Sequence, residues 1–79
     1  MTVRAKFKND SVTKRPHWDK TLGHLHDIEL SVVHGDTPEN KKFFAATPTG
    51  TIKLQSISAE AGELFEPGAE YYIDFTRAV

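Results

Sequence analysis

Three of the four histidines, His24, His26 and His34, lie close together in the sequence, with Asp27 and Asp36 nearby. In an extended segment His24 and His26 project from the same face, a spacing that allows both to chelate one metal ion. A structural zinc site normally has four ligands, often including cysteine, and this chain contains no cysteine. We therefore favour surface histidines without a metal ion, and we expect no cofactor.

The residues needed for catalysis do not form a recognisable set. Nucleophilic catalysis requires an activated serine, cysteine or lysine beside a base and an oxyanion site. No serine lies in a glycine-flanked elbow, and the glycines occur singly, so no phosphate-cradling loop is present. A domain of this size also has little interior from which to exclude water. We expect that the protein is not an enzyme.

Cations and aromatic residues near the N-terminus are the most suggestive pattern. Single-stranded nucleic acid binds to such combinations, and arginine, tryptophan and tyrosine also dominate the energetics of protein interfaces. A lone tryptophan anchors either its own loop or a partner, and the sequence leaves both interpretations open. The candidate binding residues, for protein or nucleic acid, are Arg4, Lys6, Lys8, Arg15, His17, Trp18, Lys20 and Tyr72.

Charge is distributed unevenly along the chain. Residues 1–20 hold six basic and two acidic residues, a net charge of +4, whereas residues 21–79 hold four basic and nine acidic residues, a net charge of −5. Such asymmetry marks a binding face or results from basic and acidic strands that pair in one sheet, and we favour the pairing. The slightly acidic total of −1 argues against nucleic-acid binding, which also requires the strand lysines and Trp18 to share one face.

The length of 79 residues predicts a single domain over residues 1–79. Folding at this size buries only about 60% of the unfolded surface, so the core is thin. Without cysteine no disulfide reinforces it, and a partner or a second copy would add stability. The chain lacks the apolar run of a signal peptide and the roughly 20 apolar residues of a membrane span, so we expect neither.

Alternation of apolar and polar residues predicts most of the strands. Residues 3–8 alternate and continue through Ser11–Thr13 after a bend or bulge at Asn9–Asp10, and residues 28–33 form a second strand. Residues 14–26 show no clean period and are interpreted as a long loop. Further strands are predicted at residues 51–57 and 70–76.

Helix and turn signals separate these strands. Thr37 and Pro38 begin a short helix that must end near Thr47, because Pro48 follows, and Ser58 caps a second helix over residues 59–64. Residues 66–69, Glu-Pro-Gly-Ala, match a type II turn. The predicted core is Val3, Phe7, Ile28, Leu30, Val32, Phe43 or Phe44, Ile52, Leu54, Leu64, Tyr71, Ile73 and Phe75.

Together these elements predict a mainly β fold with two short helices. The short strands and the turn signals between them favour a small antiparallel barrel or a curled sheet. An oligonucleotide-binding-like or an SH3-like barrel fits the number of strands.

Three segments of the chain resemble a family of small uncharacterised proteins of tailed bacteriophages and prophages. They are residues 3–13 (beginning VRAKFK), residues 39–50 (ENKKFFAATPTG) and residues 65–76 (FEPGAEYYIDFT), and residues 14–26 match least. The resemblance covers nearly the whole chain in the same order. It implies a phage origin and a bacterial host, but assigns no active site, so no functional residue is carried over from the family.

We therefore expect a non-enzymatic phage protein that acts through protein–protein contacts. Its partners would be a phage structural protein, as for a virion component, or a host protein that a counter-defence factor binds, with homo-oligomers as a further option. It would work in the bacterial host cytoplasm or be incorporated into the virion. The alternative is a small barrel that binds nucleic acid or a nucleotide-type ligand through its basic face.

Overall fold

The computed structural model describes residues 2–35 and 37–79. Within these residues one antiparallel sheet is combined with short helical segments. In chain order the elements are β1 (Thr2–Pro16), a 3-10 turn (Lys20–Leu22), β2 (His24–Val32), α1 (Pro38–Phe43), β3 (Thr51–Ile57), α2 (Ala59–Gly62) and β4 (Glu70–Thr76). The predicted mainly β fold with short helices is confirmed.

The sheet is open, with strand order β3-β2-β1-β4 in the described part of the chain. β1 lies between β2 and β4, and β3 and β4 form the two edges. Of the two predicted forms, a small barrel or a curled sheet, the barrel is therefore wrong. Four strands are too few to close, since small barrels are built from roughly five to eight.

β1 runs through nearly the whole length of the sheet. Its pairing with β2 passes from Asn9 opposite Leu30 to Ser11 opposite Glu29, which leaves Asp10 as an extra residue and confirms the predicted bulge. The predicted loop over residues 14–26 is wrong, because pairing continues to Pro16 and resumes at His24. Only residues 17–23 form the connection, so the segment is a protruding β-hairpin.

Buried side chains lie mainly on one face of the sheet, the inner face. Its core consists of Ala5, Phe7, Ile28, Leu30 and Val32. Other apolar residues of the predicted core are largely in contact with solvent. The exposed fraction is 49% for Val3, 45% for Leu54, 48% for Phe75 and 74% for Leu64. The short helices cover only part of the inner face, and the rest of its apolar surface meets solvent.

The turn at residues 66–69 and the cap of α2 agree with the sequence signals, whereas the Thr37 side chain makes no capping hydrogen bond to α1. The Ser58 side chain accepts a hydrogen bond from the Ala61 N–H and caps α2. Ala69 N–H donates to the Glu66 carbonyl at 3.1 Å, and Gly68 has φ +87°, as a type II turn requires. Helix α1 begins at Pro38 as predicted but ends at Phe43, earlier than the Thr47 limit.

Helix α1 lies beside the part of β1 that β2 does not reach. The pairing between β1 and β2 ends at Phe7 opposite Val32. Beyond it, the buried side chain of Asn40 in α1 bonds to both backbone groups of Lys6 and to the Val33 carbonyl. One helical side chain thus replaces the missing strand.

Candidate functional site

Three of the predicted binding residues, Arg4, Lys6 and Tyr72, meet on the outer face of the sheet. Arg4 forms a two-pronged pair with Asp74, with Nε–Oδ1 and Nη2–Oδ2 distances of 2.6 and 3.0 Å. Lys6 Nζ lies 3.2 Å from Glu70 Oε1. The two cationic groups also stand over the Tyr72 ring, 4.7 and 5.7 Å from its centroid. The cations of β1 are therefore matched to carboxylates of β4.

The pKa values of this cluster move as expected for paired groups. A hydrogen bond from Tyr72 lowers the pKa of Glu39, and the same bond raises the pKa of Tyr72. The hydrogen bond with Arg4 lowers the pKa of Asp74. Lys8, two residues after Lys6 in β1, lies opposite Glu70 in the β1–β4 pairing. The interpretation of the charge asymmetry as pairing of basic and acidic strands is confirmed here.

Arg15 is held in a similar way nearer the hairpin. Its guanidinium donates two hydrogen bonds to Asp27, at 2.6 and 3.0 Å, and a third to the Ser56 hydroxyl at 3.2 Å. Asp27 also accepts the Ser56 N–H, where a second bulge places Ser56 at φ +60°. One carboxylate thus connects β1, β2 and β3, and Arg15 serves the fold.

Substitution of Asp27 by asparagine is expected to destabilise the protein more at neutral pH than in acid. The bonds from Arg15 and from the Ser56 N–H lower the pKa of Asp27. Such a carboxylate contributes stability above its unfolded pKa of about 3.9, and this contribution disappears as the pH falls through the folded value. Urea unfolding of both proteins at pH 7, 5 and 3 should show the same difference at pH 7 and pH 5 and a smaller one at pH 3, below the unfolded pKa of about 3.9. A difference at pH 3 as large as that at pH 7 would contradict the role of the Asp27 carboxylate.

The remaining predicted residues, His17, Trp18 and Lys20, occupy the hairpin tip, which we define as residues 17–23. Trp18 is 83% exposed and Leu22 is 59% exposed, so the tryptophan does not anchor the loop to the core. Among the described residues no ion-pair partner contacts Lys20. The tip therefore presents apolar and cationic side chains to solvent.

Hydrogen bonds within the hairpin tip hold it in one conformation. Asp19 accepts the N–H and the hydroxyl of Thr21 at 3.0 and 2.7 Å, and these bonds lower the pKa of Asp19. Asp19 N–H in turn donates to His17 Nδ1 at 2.8 Å, and the His17 ring lies 4.2 Å from the Trp18 ring. Leu22 N–H closes the 3-10 turn onto the Asp19 carbonyl. Trp18 is thus exposed on a rigid support.

The predicted site is therefore divided into two separate parts. Arg4 and Trp18 are fourteen residues apart along one extended hairpin arm, about 45 Å at the rise of a β-strand. Arg4 and Lys6 therefore lie far from Trp18, and Arg15, the strand cation nearest to it in the chain, is paired with Asp27. Arg4, Lys6 and Trp18 do not form a continuous basic and aromatic platform.

An apolar groove on the inner face was not predicted as a site. It lies between the edge strands, has a volume of about 780 Å³ and has Leu30 among its lining residues. We define the apolar groove by Ile52, Leu54, Leu64, Tyr71, Ile73 and Phe75. The Tyr71 hydroxyl fixes its end, since it donates to the Leu64 carbonyl and accepts the Glu66 N–H at 2.9 and 2.8 Å. The six residues that define the apolar groove were predicted as core. The predicted helices were short, and this was the signal that part of the inner face would stay uncovered.

The histidines do not assemble into a metal site. Within residues 2–35 and 37–79 no cluster of three or more potential ligands is found, and Asp36 lies outside the described residues. His24 is exposed, but His26 is buried against α2, so the expectation of a surface pair is wrong for His26. None of the helices in the described segments has the length and apolar character needed to span a bilayer.

Comparison of the chain with protein-family models, with curated proteins and with solved structures finds no match.

Proposed function

We propose that this chain is a non-enzymatic phage protein that acts through protein–protein contacts, with the hairpin tip as its anchor. Its partner is a component of the virion, for a structural or decoration role, or a host protein, for a counter-defence role. It works in the cytoplasm of the bacterial host or within the virion. The phage setting is supported by the resemblance of residues 3–13, 39–50 and 65–76. The contact mode is supported by the exposed, braced Trp18.

The main observation in support of this proposal is that Trp18 is 83% exposed on a loop held by internal hydrogen bonds. A tryptophan side chain that is mostly in water contributes little to the stability of the isolated fold. When a partner covers such a side chain it contributes much of the binding free energy, and a rigid support reduces the entropy lost on binding. The neighbouring Leu22 and Lys20 extend the same surface. This combination is typical of a binding anchor.

The alternative, binding of nucleic acid through the basic face, has less support. Arg4, Lys6 and Arg15 each form an ion pair with a carboxylate. The phosphates of a nucleic acid would have to displace these carboxylates. An oligonucleotide-binding or SH3-like barrel, on which this alternative draws, would need additional strands to close. A gel shift with single- and double-stranded DNA at two salt concentrations tests it, since salt-dependent binding would favour the alternative.

Substitution of Trp18 by alanine is expected to abolish partner binding without loss of stability. The exposed position predicts a change of less than about 0.5 kcal/mol in the free energy of unfolding. Affinity should fall by at least ~30-fold, as for a central interface residue. Co-purification from infected cells and mass spectrometry of purified phage particles, for wild type, Trp18→Ala and a Lys53→Ala control, measure this. Equal recovery of partner by Trp18→Ala would contradict the proposal.

A further inference from the structure

We infer that the apolar groove receives the hairpin tip of a second copy of this chain. The inference goes beyond the proposed function, because it concerns contacts between copies and requires no phage or host partner. It rests on three properties of the molecule: its excess surface, the shapes of the tip and the groove, and their charges.

The first property is that the fold exposes more surface than a compact monomer. Its accessible area is 5999 Å², whereas a monomer of the same mass is expected to expose about 4,800 Å². The radius of gyration of 14.6 Å also exceeds the value of about 12 Å for a compact domain of this length. The smallest dimension of the molecule is only 15 Å, little more than the thickness of one sheet with a helix packed on it. The excess of about 1,200 Å² exceeds the roughly 800 Å² that each partner buries in a standard interface.

The second property is the match between a concave and a convex surface. The groove is apolar, and its volume of about 780 Å³ lies within the ~300–1,000 Å³ of pockets that enclose drug-sized groups. The Trp18 and Leu22 side chains project from a narrow turn and are of the size to enter it. Packing of one groove against another would join two hollows and leave Trp18 in water. Insertion of the tip would cover Trp18 and Leu22 of one copy and the apolar groove of the other.

The third property is opposite charge at the two surfaces. Leu64 and Phe65, at the end of the groove, are flanked by Glu63 and Glu66. Within the described residues neither glutamate takes part in an ion pair, and the same holds for Lys20 at the tip. Contact between copies therefore places an unpaired cation near unpaired carboxylates. The contact should weaken as salt is added.

The groove is not accessible to the tip of the same molecule. The hairpin stem is paired without interruption from Ser11 opposite Glu29 to Pro16 opposite His24, so it cannot fold back on itself. Helix α2 also packs at the base of the tip, where a Cβ atom on Gly23 would lie 3.1 Å from the Ala59 Cβ. The contact is thus between copies. Reciprocal exchange of tips gives a closed dimer, and one-way insertion gives a longer assembly.

Sedimentation velocity on the purified chain from about 10 to 500 µM tests self-association. We expect the wild type to pass from monomer to dimer or larger species, and Trp18→Ala and Leu64→Lys each to weaken association by at least ~30-fold. Leu64 is 74% exposed, so its substitution should leave the monomer folded, which circular dichroism checks. Leu54→Lys is a second groove variant, and Lys53→Ala, an exposed position on the outer face of β3, is the control. A wild type that stays monomeric, or variants that associate like it, would overturn the inference.

A mixture of the two defective variants shows which surfaces meet. Trp18→Ala keeps the groove and Leu64→Lys keeps the tip, so together they should form a complex that neither forms alone. Trp18 is the single tryptophan of the chain, so in this mixture only the Leu64→Lys copy fluoresces strongly. Its emission should shift to shorter wavelength as Trp18→Ala is added. No shift would mean that the tip does not enter the groove.

The outcome is independent of the proposed function. Leu64→Lys should still recover the phage or host partner, because its tip is intact, while it no longer self-associates. If the wild type is monomeric but partner recovery depends on Trp18, the inference fails and the proposed function stands. If the wild type associates but no partner is recovered, the reverse holds.

Discussion

Replacement of Asn40 by leucine is expected to lower the free energy of unfolding by about 2–5 kcal/mol. A domain of this length has a total stability of about 4–12 kcal/mol, so the loss is a large fraction of the whole. The substitution nearly conserves size and shape and removes only the amide. The effect therefore reports the hydrogen bonds that Asn40 makes.

Those bonds substitute for a strand. Asn40 is 1% exposed, its Oδ1 accepts the Lys6 N–H at 2.7 Å, and its Nδ2 donates to the Lys6 and Val33 carbonyls, both at 2.9 Å. Leucine would leave the Lys6 N–H and the Val33 carbonyl without partners in the interior, at about 1–3 kcal/mol each. The Lys6 carbonyl keeps the Val33 N–H at 3.1 Å. The end of β1 and the docking of α1 both depend on this amide.

A second buried asparagine provides a matched control with the opposite sign. Asn9 is 0% exposed, and neither atom of its side-chain amide has a hydrogen-bond partner in the described chain. Its backbone is satisfied by Gly68 and Ala69. Removal of an unbonded amide from an apolar interior is favourable, so Asn9→Leu should raise the free energy of unfolding by about 1–2 kcal/mol.

Urea unfolding of the wild type and the two leucine variants, followed by circular dichroism, measures both effects. Because the substitution is the same, the transfer of the leucine side chain from water largely cancels, and the remaining difference between helix and strand propensity is less than about 1 kcal/mol. Asn40→Leu as stable as the wild type, or Asn9→Leu less stable than Asn40→Leu, would show that hydrogen bonding does not distinguish the two sites.

The sequence predicted those elements whose local signals agree with their packing. Strand β4 has the predicted bounds, because alternation and the preceding Pro67–Gly68 turn both define it. The bulge at Asp10 follows from an interruption in an otherwise regular pattern. In each case the residues that carry the signal are neighbours in the chain.

The hairpin over residues 14–26 escaped prediction because its stabilising contacts are between strands. Arg15 pairs with Asp27 across the hairpin and not with a neighbour in the chain, so the segment shows polar residues without a period. The role of Asn40 is likewise invisible in its own helix, since its partners lie 34 and 7 residues away. The predicted binding face of β1 was misjudged for the same reason. The residues of β1 indicated a binding face, but their carboxylate partners come from β4.

The open inner face has a related cause. Alternation in β3 and β4 shows that Leu54 and Phe75 point inward, but it does not show what covers them. Helices of six and four residues are too short to form a second layer over the sheet. An inward direction therefore did not mean burial, and the predicted core was larger than the core that folded.

Substitution of Gly62 by alanine is expected to lower the free energy of unfolding by about 2–3 kcal/mol. A Cβ atom at this position would collide with Cγ of His26 and would lie 2.6 Å from its Nδ1. The imidazole is 3% exposed and cannot turn away into solvent, so α2 must move off β2. In a helix without this contact alanine is more favourable than glycine by about 0.5–1 kcal/mol. A destabilising effect therefore isolates the collision.

The collision is testable with a compensating change on the facing strand. His26→Ala removes the ring that the new methyl group meets, so the double variant should lose less stability than the sum of the two single losses, with a coupling of about 1–3 kcal/mol. Glu60→Ala, an exposed position of the same helix, should change stability by less than about 0.5 kcal/mol. Strict additivity of Gly62→Ala and His26→Ala would mean that α2 is not held against β2 by this contact.

Helix α2 leads directly into Leu64 and Phe65 at the end of the apolar groove. Gly62→Ala should therefore also weaken association between copies, which a substitution on the outer face would leave unchanged.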